Sequence, residues 1–164
     1  MVLVLGIGNS LLQDEGIAFH LLKRLRQEKA HWPVKFLDGG TLSFNLASVI
    51  ESCSHLIVID AANLNSSPGS VQSFFDLDLD KFLNKPGKSV HEVSLSDLFD
   101  MTRLTDTIPM HRAMVAVQPK NISWGENLTP LVEDSQTTAI EHIKKALIKW
   151  GILAVNEELK YGSS

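Results

Sequence analysis

Apolar residues along this chain come in two rhythms. Short unbroken runs at Val2-Leu3-Val4-Leu5, Leu56-Ile57-Val58-Ile59 and Met114-Val115-Ala116-Val117 end at Gly6, at Asp60 and ahead of Pro119. Runs of that length, closed by turn formers, predict strands buried on both faces of a sheet. Between them Ile17, Leu21, Leu22 and Leu25 recur at helical spacing, so a helix follows the first strand. Val34 to Leu37 predicts a second strand that ends in the tight turn Asp38-Gly39-Gly40-Thr41. Ser43 to Glu51 predicts a short helix with Leu46, Val49 and Ile50 on one face. The more polar run Val71 to Phe75 predicts a fourth strand near an edge of the sheet. Ser89-Val90-His91-Glu92 has the spacing of a capping box, and predicts a helix through Leu95, Leu98 and Phe99. Pro130 suits the first turn of one long helix with Val132, Ala139, Ile140, Ile143 and Leu147 on its apolar face. Lys144, Lys145 and Lys149 favour its carboxyl end, Gly151 closes it, and the tail from about 151 is expected to be loosely held. Strands alternating with helices predict an α/β fold, a three-layer α/β/α sandwich.

Composition narrows the function more than the fold. A chain of 164 residues fits one domain and buries about two thirds of its unfolded surface. Hydrophobic residues at 44% and charged residues at 21% are ordinary for a globular protein. The net charge of −4, without a Lys/Arg cluster, argues against nucleic acid and anionic membrane as partners. The single Cys53 builds no disulfide framework, which fits a reducing compartment. The first residues lack a basic region, and their apolar run is too short to span a bilayer. The expectation is therefore a cytoplasmic protein, in which the glycosylation-like triplets at Asn65, Asn121 and Asn127 carry no meaning.

Two chemistries compete for the first turn. Gly6-Ile7-Gly8 imitates a dinucleotide fingerprint, with Asp38 in the ribose-binding place. The third glycine would fall at Leu11, and Asp14 and Glu15 stand where a pyrophosphate needs bare amides. A divalent metal suits these acids better. Glu15 lies at a predicted helix start, and Asp60 ends the third strand. In a doubly wound sheet that strand commonly lies beside the first, about 5 Å away. His91, placed by the capping box in a helix's first turn, would be held neutral and able to ligate. Two carboxylates and an imidazole suit Zn, Ni, Mn or Fe. The plainer reading is that an acid in a first turn caps the helix and an Asp after a strand forms a turn.

The remaining candidates are weaker. His20 and His142 fall within predicted helices, His31 in a loop and His55 at a strand start, while His111 could line the cleft. Asp76-Leu77-Asp78-Leu79-Asp80 resembles the start of a calcium loop, but Lys81 replaces its glycine and Gly87 its closing glutamate. Cys53 reads as packing, and neither a G-x-S-x-G nor a His-Glu-x-x-His motif occurs.

Taken in order, the landmarks resemble those of the hydrogenase maturation endopeptidases. They are Leu5-Gly6-Ile7-Gly8-Asn9 with Asp14-Glu15-Gly16, then Asp38-Gly39-Gly40-Thr41 and Ile57-Val58-Ile59-Asp60-Ala61. His91 ahead of Leu95-Ser96-Asp97-Leu98 follows, then Val117-Gln118-Pro119 and Leu128-Thr129-Pro130. The resemblance spans nearly the whole chain and implies a single peptidase domain over residues 1–164 with a five-stranded, mostly parallel twisted sheet. It implies removal of a C-terminal extension from the large-subunit precursor of a nickel–iron hydrogenase, after nickel insertion. Glu15, Asp60 and His91 become the catalytic and metal-binding trio, with nickel carried by the precursor or another divalent ion in its place. Asp38, Gly39, Gly40 and Thr41 become the substrate-contacting loop. The alternative of a non-catalytic nickel-sensing or precursor-binding module uses the same residues. Family members often carry glycine where this chain has Ala18, a difference expected to alter how closely a partner approaches.

Overall fold

The computed structural model describes residues 1–85 and 93–156. The chain runs β1 (Val2–Gly6), a 3-10 turn (Gln13–Gly16), α1 (Ile17–Glu28), β2 (Lys35–Asp38), α2 (Leu46–Glu51) and β3 (His55–Ala61). It continues with β4 (Val71–Phe75), α3 (Asp76–Leu83), α4 (Leu95–Leu104), β5 (His111–Val117), α5 (Pro130–Asp134) and α6 (Gln136–Lys149). The five strands form one sheet in the order β2-β1-β3-β5-β4. All neighbours are parallel except the β4–β5 pair, and the polar strand β4 takes an edge as its pattern predicts.

The two faces of the sheet are covered separately. Val4, Ile57, Ile59, Val115 and Val117 pack with α1 and α6 on one side. Leu3, Leu5, Leu56, Val58 and Met114 pack with α2, α3 and α4 on the other. This is the expected three-layer sandwich, and burial on both faces explains the unbroken apolar runs in β1, β3 and β5. After β1 the chain passes to β2 on one side, then returns across β1 to β3 on the other. The strand order therefore reverses at the β1–β3 pair, where Gly6 lies opposite Ile59. Crevices for ligands open at such a switch point.

Several element expectations need correction. The long helix from Pro130 is two helices, α5 and α6, broken at Ser135. There the Ser135 amide and hydroxyl both donate to the Val132 carbonyl, which competes with the next helical bond. The aspartate-rich stretch rejected as a calcium loop, and given no element from the sequence, is helix α3. Its Asp80 carboxylate is bidentate on the buried Arg112 guanidinium, at 3.1 and 2.6 Å. The capping box of the helix through Leu98 is Ser94 with Asp97, so that helix begins at Leu95. Ser89 to Glu92 lie outside the described residues, and the first-turn argument for His91 does not carry. Just past Gly151, Leu153 is buried against the α1 and α6 layer and its amide donates to the Leu147 carbonyl, while Val155 is exposed.

Candidate active site

The switch-point crevice is built from three turns. Past β1, Gly8 takes a φ of +135°, and a Cβ there would stand 2.2 Å from the Glu15 carbonyl oxygen. Only glycine lets the turn after β1 lie this close to the Glu15 backbone. The Gly8 amide donates to the Gly40 carbonyl at 2.9 Å, and the Gly39 amide to the Gly6 carbonyl at 2.8 Å. These bonds tie the turn after β2 to the turn after β1. Glu15 belongs to the 3-10 turn ahead of α1 rather than to the helix itself, which starts at Ile17.

Ile7, Gly8, Glu15, Thr41, Leu42 and Asp60 line one cleft. Asp60 is the penultimate residue of β3, beyond the last β1 partner. Glu15 and Asp60, remote in sequence, therefore meet at the crevice as the spacing predicts. Burial pushes the Asp60 carboxyl well above the usual carboxylate range, and the neighbouring Glu15 charge adds to the rise, against one backbone hydrogen bond at Ala61. Two carboxylates in so small a cleft cannot both ionise cheaply without a cation between them. That is the environment a divalent ion relieves.

The substrate-loop candidates divide. Thr41 lines the cleft, and Gly40 adopts a φ of +59° beside it. The Asp38 carboxylate accepts the Gly40 amide at 2.9 Å, holding its own turn rather than lining the cleft. A second cavity, lined in part by Leu42, Ala61, Ala62, Phe82, Ser94 and Leu95, shares Asp60 with the first. Val93 and Ser94 are where the described chain resumes after His91, which itself lies outside the described residues. Among the described residues no group of three His, Cys, Asp or Glu side chains could hold a metal ion.

Two expectations from the sequence fail here. His111 does not line the cleft; it begins β5 at the opposite end of the sheet and stacks on His55 with ring centroids 4.5 Å apart. Ala18 is buried at 2% exposure, facing β1 at Gly6 rather than any partner. A residue that sequence reasoning left without a role is Asp14. It is fully buried, and its partners are Lys120, Asn121 and Thr129. No local spacing points to bonds with residues more than a hundred positions away.

Fold and cleft together define a doubly wound α/β protein with an acidic crevice at its switch point. The chain belongs to the hydrogenase maturation protease family, which matches residues 18–146. It is 33% identical to the hydrogenase 2 maturation protease of Escherichia coli K12, over 96% of each chain. It is 32% identical to the hydrogenase expression/formation protein HupD of Rhodobacter capsulatus, over 92% of this chain and 73% of that one. The solved structure of the hydrogenase maturating endopeptidase HybD from E. coli superposes with a TM-score of 0.81 and 31% identity, over 92% and 93% of the two chains. A HybD from Thermococcus kodakarensis, at 22% identity and a TM-score of 0.73, shares the fold. The chain is thus a hydrogenase maturation endopeptidase, which decides between the enzyme and the non-catalytic module.

Proposed function

We propose that this endopeptidase removes the C-terminal extension of a nickel–iron hydrogenase large-subunit precursor once nickel is in place. Glu15, Asp60 and His91 recognise the ion that the precursor carries. The observation that supports this most is the meeting of Glu15 and Asp60 in one cleft at the switch point. His91 is joined to Ser94, which lines the cavity beside Asp60, by a stretch of chain spanning at most about 10 Å. Carboxylate oxygens with an imidazole nitrogen form a donor set that nickel and zinc accept.

Nickel, as part of the substrate, supplies positive charge and Lewis acidity beside the peptide to be cut. The chain supplies the rest. Asp60, whose carboxyl burial pushes well above the usual carboxylate range, can take up or release a proton at the cleft. Thr41 borders the same cleft, where an extended tail would lie, and the turn from Asp38 to Gly40 leads into it. Cys53 is buried, and its thiol is pushed up by that burial, so it stays out of the reaction. No helix among the described residues is long and apolar enough to cross a membrane. We place the reaction in the cytoplasm, with neither nucleic acid nor membrane as a partner.

The test is the mass of the precursor. Incubation with the wild-type chain is expected to shorten a nickel-loaded large-subunit precursor at its C-terminus. Glu15→Gln, Asp60→Asn and His91→Ala are each expected to leave it intact while melting cooperatively. Full processing by all three variants would remove the trio from the mechanism.

A further inference from the structure

The turn that carries Glu15 has little to hold it by itself. It is a four-residue 3-10 turn without a side-chain cap, entered through Gln13 at a φ of +44°. Isolated turns of this kind are weak. What fixes it is the segment after β5, and the fastening point is the Asp14 carboxylate.

Asp14 Oδ2 accepts from the Lys120 amide at 2.9 Å, the Asn121 amide at 3.0 Å and the Thr129 hydroxyl at 2.7 Å. Its Oδ1 accepts from the Thr129 amide at 2.8 Å. The backbones join the same seam. The Asp14 amide donates to the Asn121 carbonyl at 3.1 Å, Gln13 to Gly125 at 2.8 Å, and Gly125 to Leu11 at 2.8 Å. One buried carboxylate thus gathers both ends of a loop that runs from Lys120 to Thr129.

We propose that Asp14 is a positioning residue for the cleavage reaction: it clamps the 120–129 loop to the Glu15 turn and so aims Glu15 at Asp60. The proposal rests on the reading of Glu15 and Asp60 as the working pair. Asp14 fixes the peptide before Glu15, while the close approach of Gly8 confines the peptide after it. A carboxylate suits this place because all four groups facing it are donors. An asparagine of the same shape turns one oxygen into an NH2 that meets those donors head on. Partners that orient a ligating or reacting side chain commonly cost about 10–100-fold in activity or metal affinity when altered.

A purely structural role for Asp14 predicts lost stability with intact chemistry, so the experiment separates the two. Asp14→Asn is compared with wild type and with Leu153→Ala. Leu153 lies in the α1/α6 layer and bonds to Leu147, and the adjoining Trp150 packs on His55 and His111 at the far end of the sheet. Its truncation leaves a cavity in that layer and lowers Tm without touching the cleft. Cleavage of a nickel-loaded precursor is followed at a temperature where all three are folded. For Asp14→Asn, kcat is expected to fall by about 10–100-fold, with KM within about threefold of wild type, while Leu153→Ala retains wild-type kcat. The amide of Glu15, which donates to the Leu12 carbonyl, is expected to exchange with solvent at least about tenfold faster in Asp14→Asn alone. Wild-type kcat and unchanged Glu15 exchange in Asp14→Asn would overturn the proposal. A wild-type chain that leaves the precursor intact counts against the cleavage reading, while the exchange comparison still decides on Asp14.

Discussion

At the scale of single residues, the site depends on glycines and carboxylates whose roles oppose stability or tolerate no substitute. Gly8 combines a φ of +135° with a near contact to the Glu15 carbonyl. Gly8→Ala is expected to cost at least about 2 kcal/mol, read by denaturant unfolding, because strained backbone and a steric clash add. It is also expected to lower precursor cleavage by displacing Glu15. Asp60 presents the opposite sign. Its folded-state pKa is raised, first by burial and then by Glu15. Stability from this group is therefore present in acid and lost as pH rises from the unfolded aspartate value through the folded one. At pH 7, above the unfolded aspartate value, burial of this carboxyl costs the folded state, so Asp60→Asn is expected to raise Tm while abolishing cleavage. A melt at or below the wild-type Tm would contradict that account of Asp60. Glu15 and Asp60 were legible in the sequence because each follows a strand whose apolar run announces it. Asp14 was not, since its partners at Lys120, Asn121 and Thr129 come together only when β1 and β5 are in place.

At the scale of elements, α3 shows charge pairing fixing a helix to the sheet. Its Asp80 binds Arg112 at 2.6 Å and Arg103 at 2.9 Å, joining α3 to β5 and α4. Arg112 and Asp80 are only 8% and 14% exposed at their side chains. Asp80→Asn leaves the guanidinium buried without its charge partner and is expected to cost about 3 kcal/mol. Burial alone would raise the Asp80 carboxyl, but the Arg112 hydrogen bonds and charge, with Arg103, outweigh it and hold the group below its ordinary value. The increment is therefore full above the unfolded aspartate value of about 3.9 and is lost as pH falls through the folded value. Stability measured from pH 6 downward is expected to drop more steeply in wild type than in Asp80→Asn. Parallel acid limbs would contradict this assignment. The sequence hid α3 because its aspartates and leucines alternate and give no helical stripe. Only Leu79 and Phe82 of its face are buried, while Leu77 is 70% exposed. It hid the break at Ser135 for a different reason: the apolar stripe continues across it from Val132 to Ala139 and Ile140.

At the scale of the whole molecule, the crevice that holds Glu15 and Asp60 is a consequence of topology. Doubly buried strands gave runs that could be read directly, and the reversal of strand order between β1 and β3 then placed Glu15 and Asp60 together. Orientation across the sheet could not be read this way. His111 sits at the start of β5 and stacks on His55, because parallel strands put their first residues together at the end away from the crevice. The most direct measurement is the intact mass of a hydrogenase large-subunit precursor after incubation with this chain, with the precursor loaded with nickel or free of it. Loss of the C-terminal extension from the loaded form alone is the expected result. Equal cleavage of both forms, or of neither, would contradict the claim that Glu15, Asp60 and His91 read the ion the substrate brings.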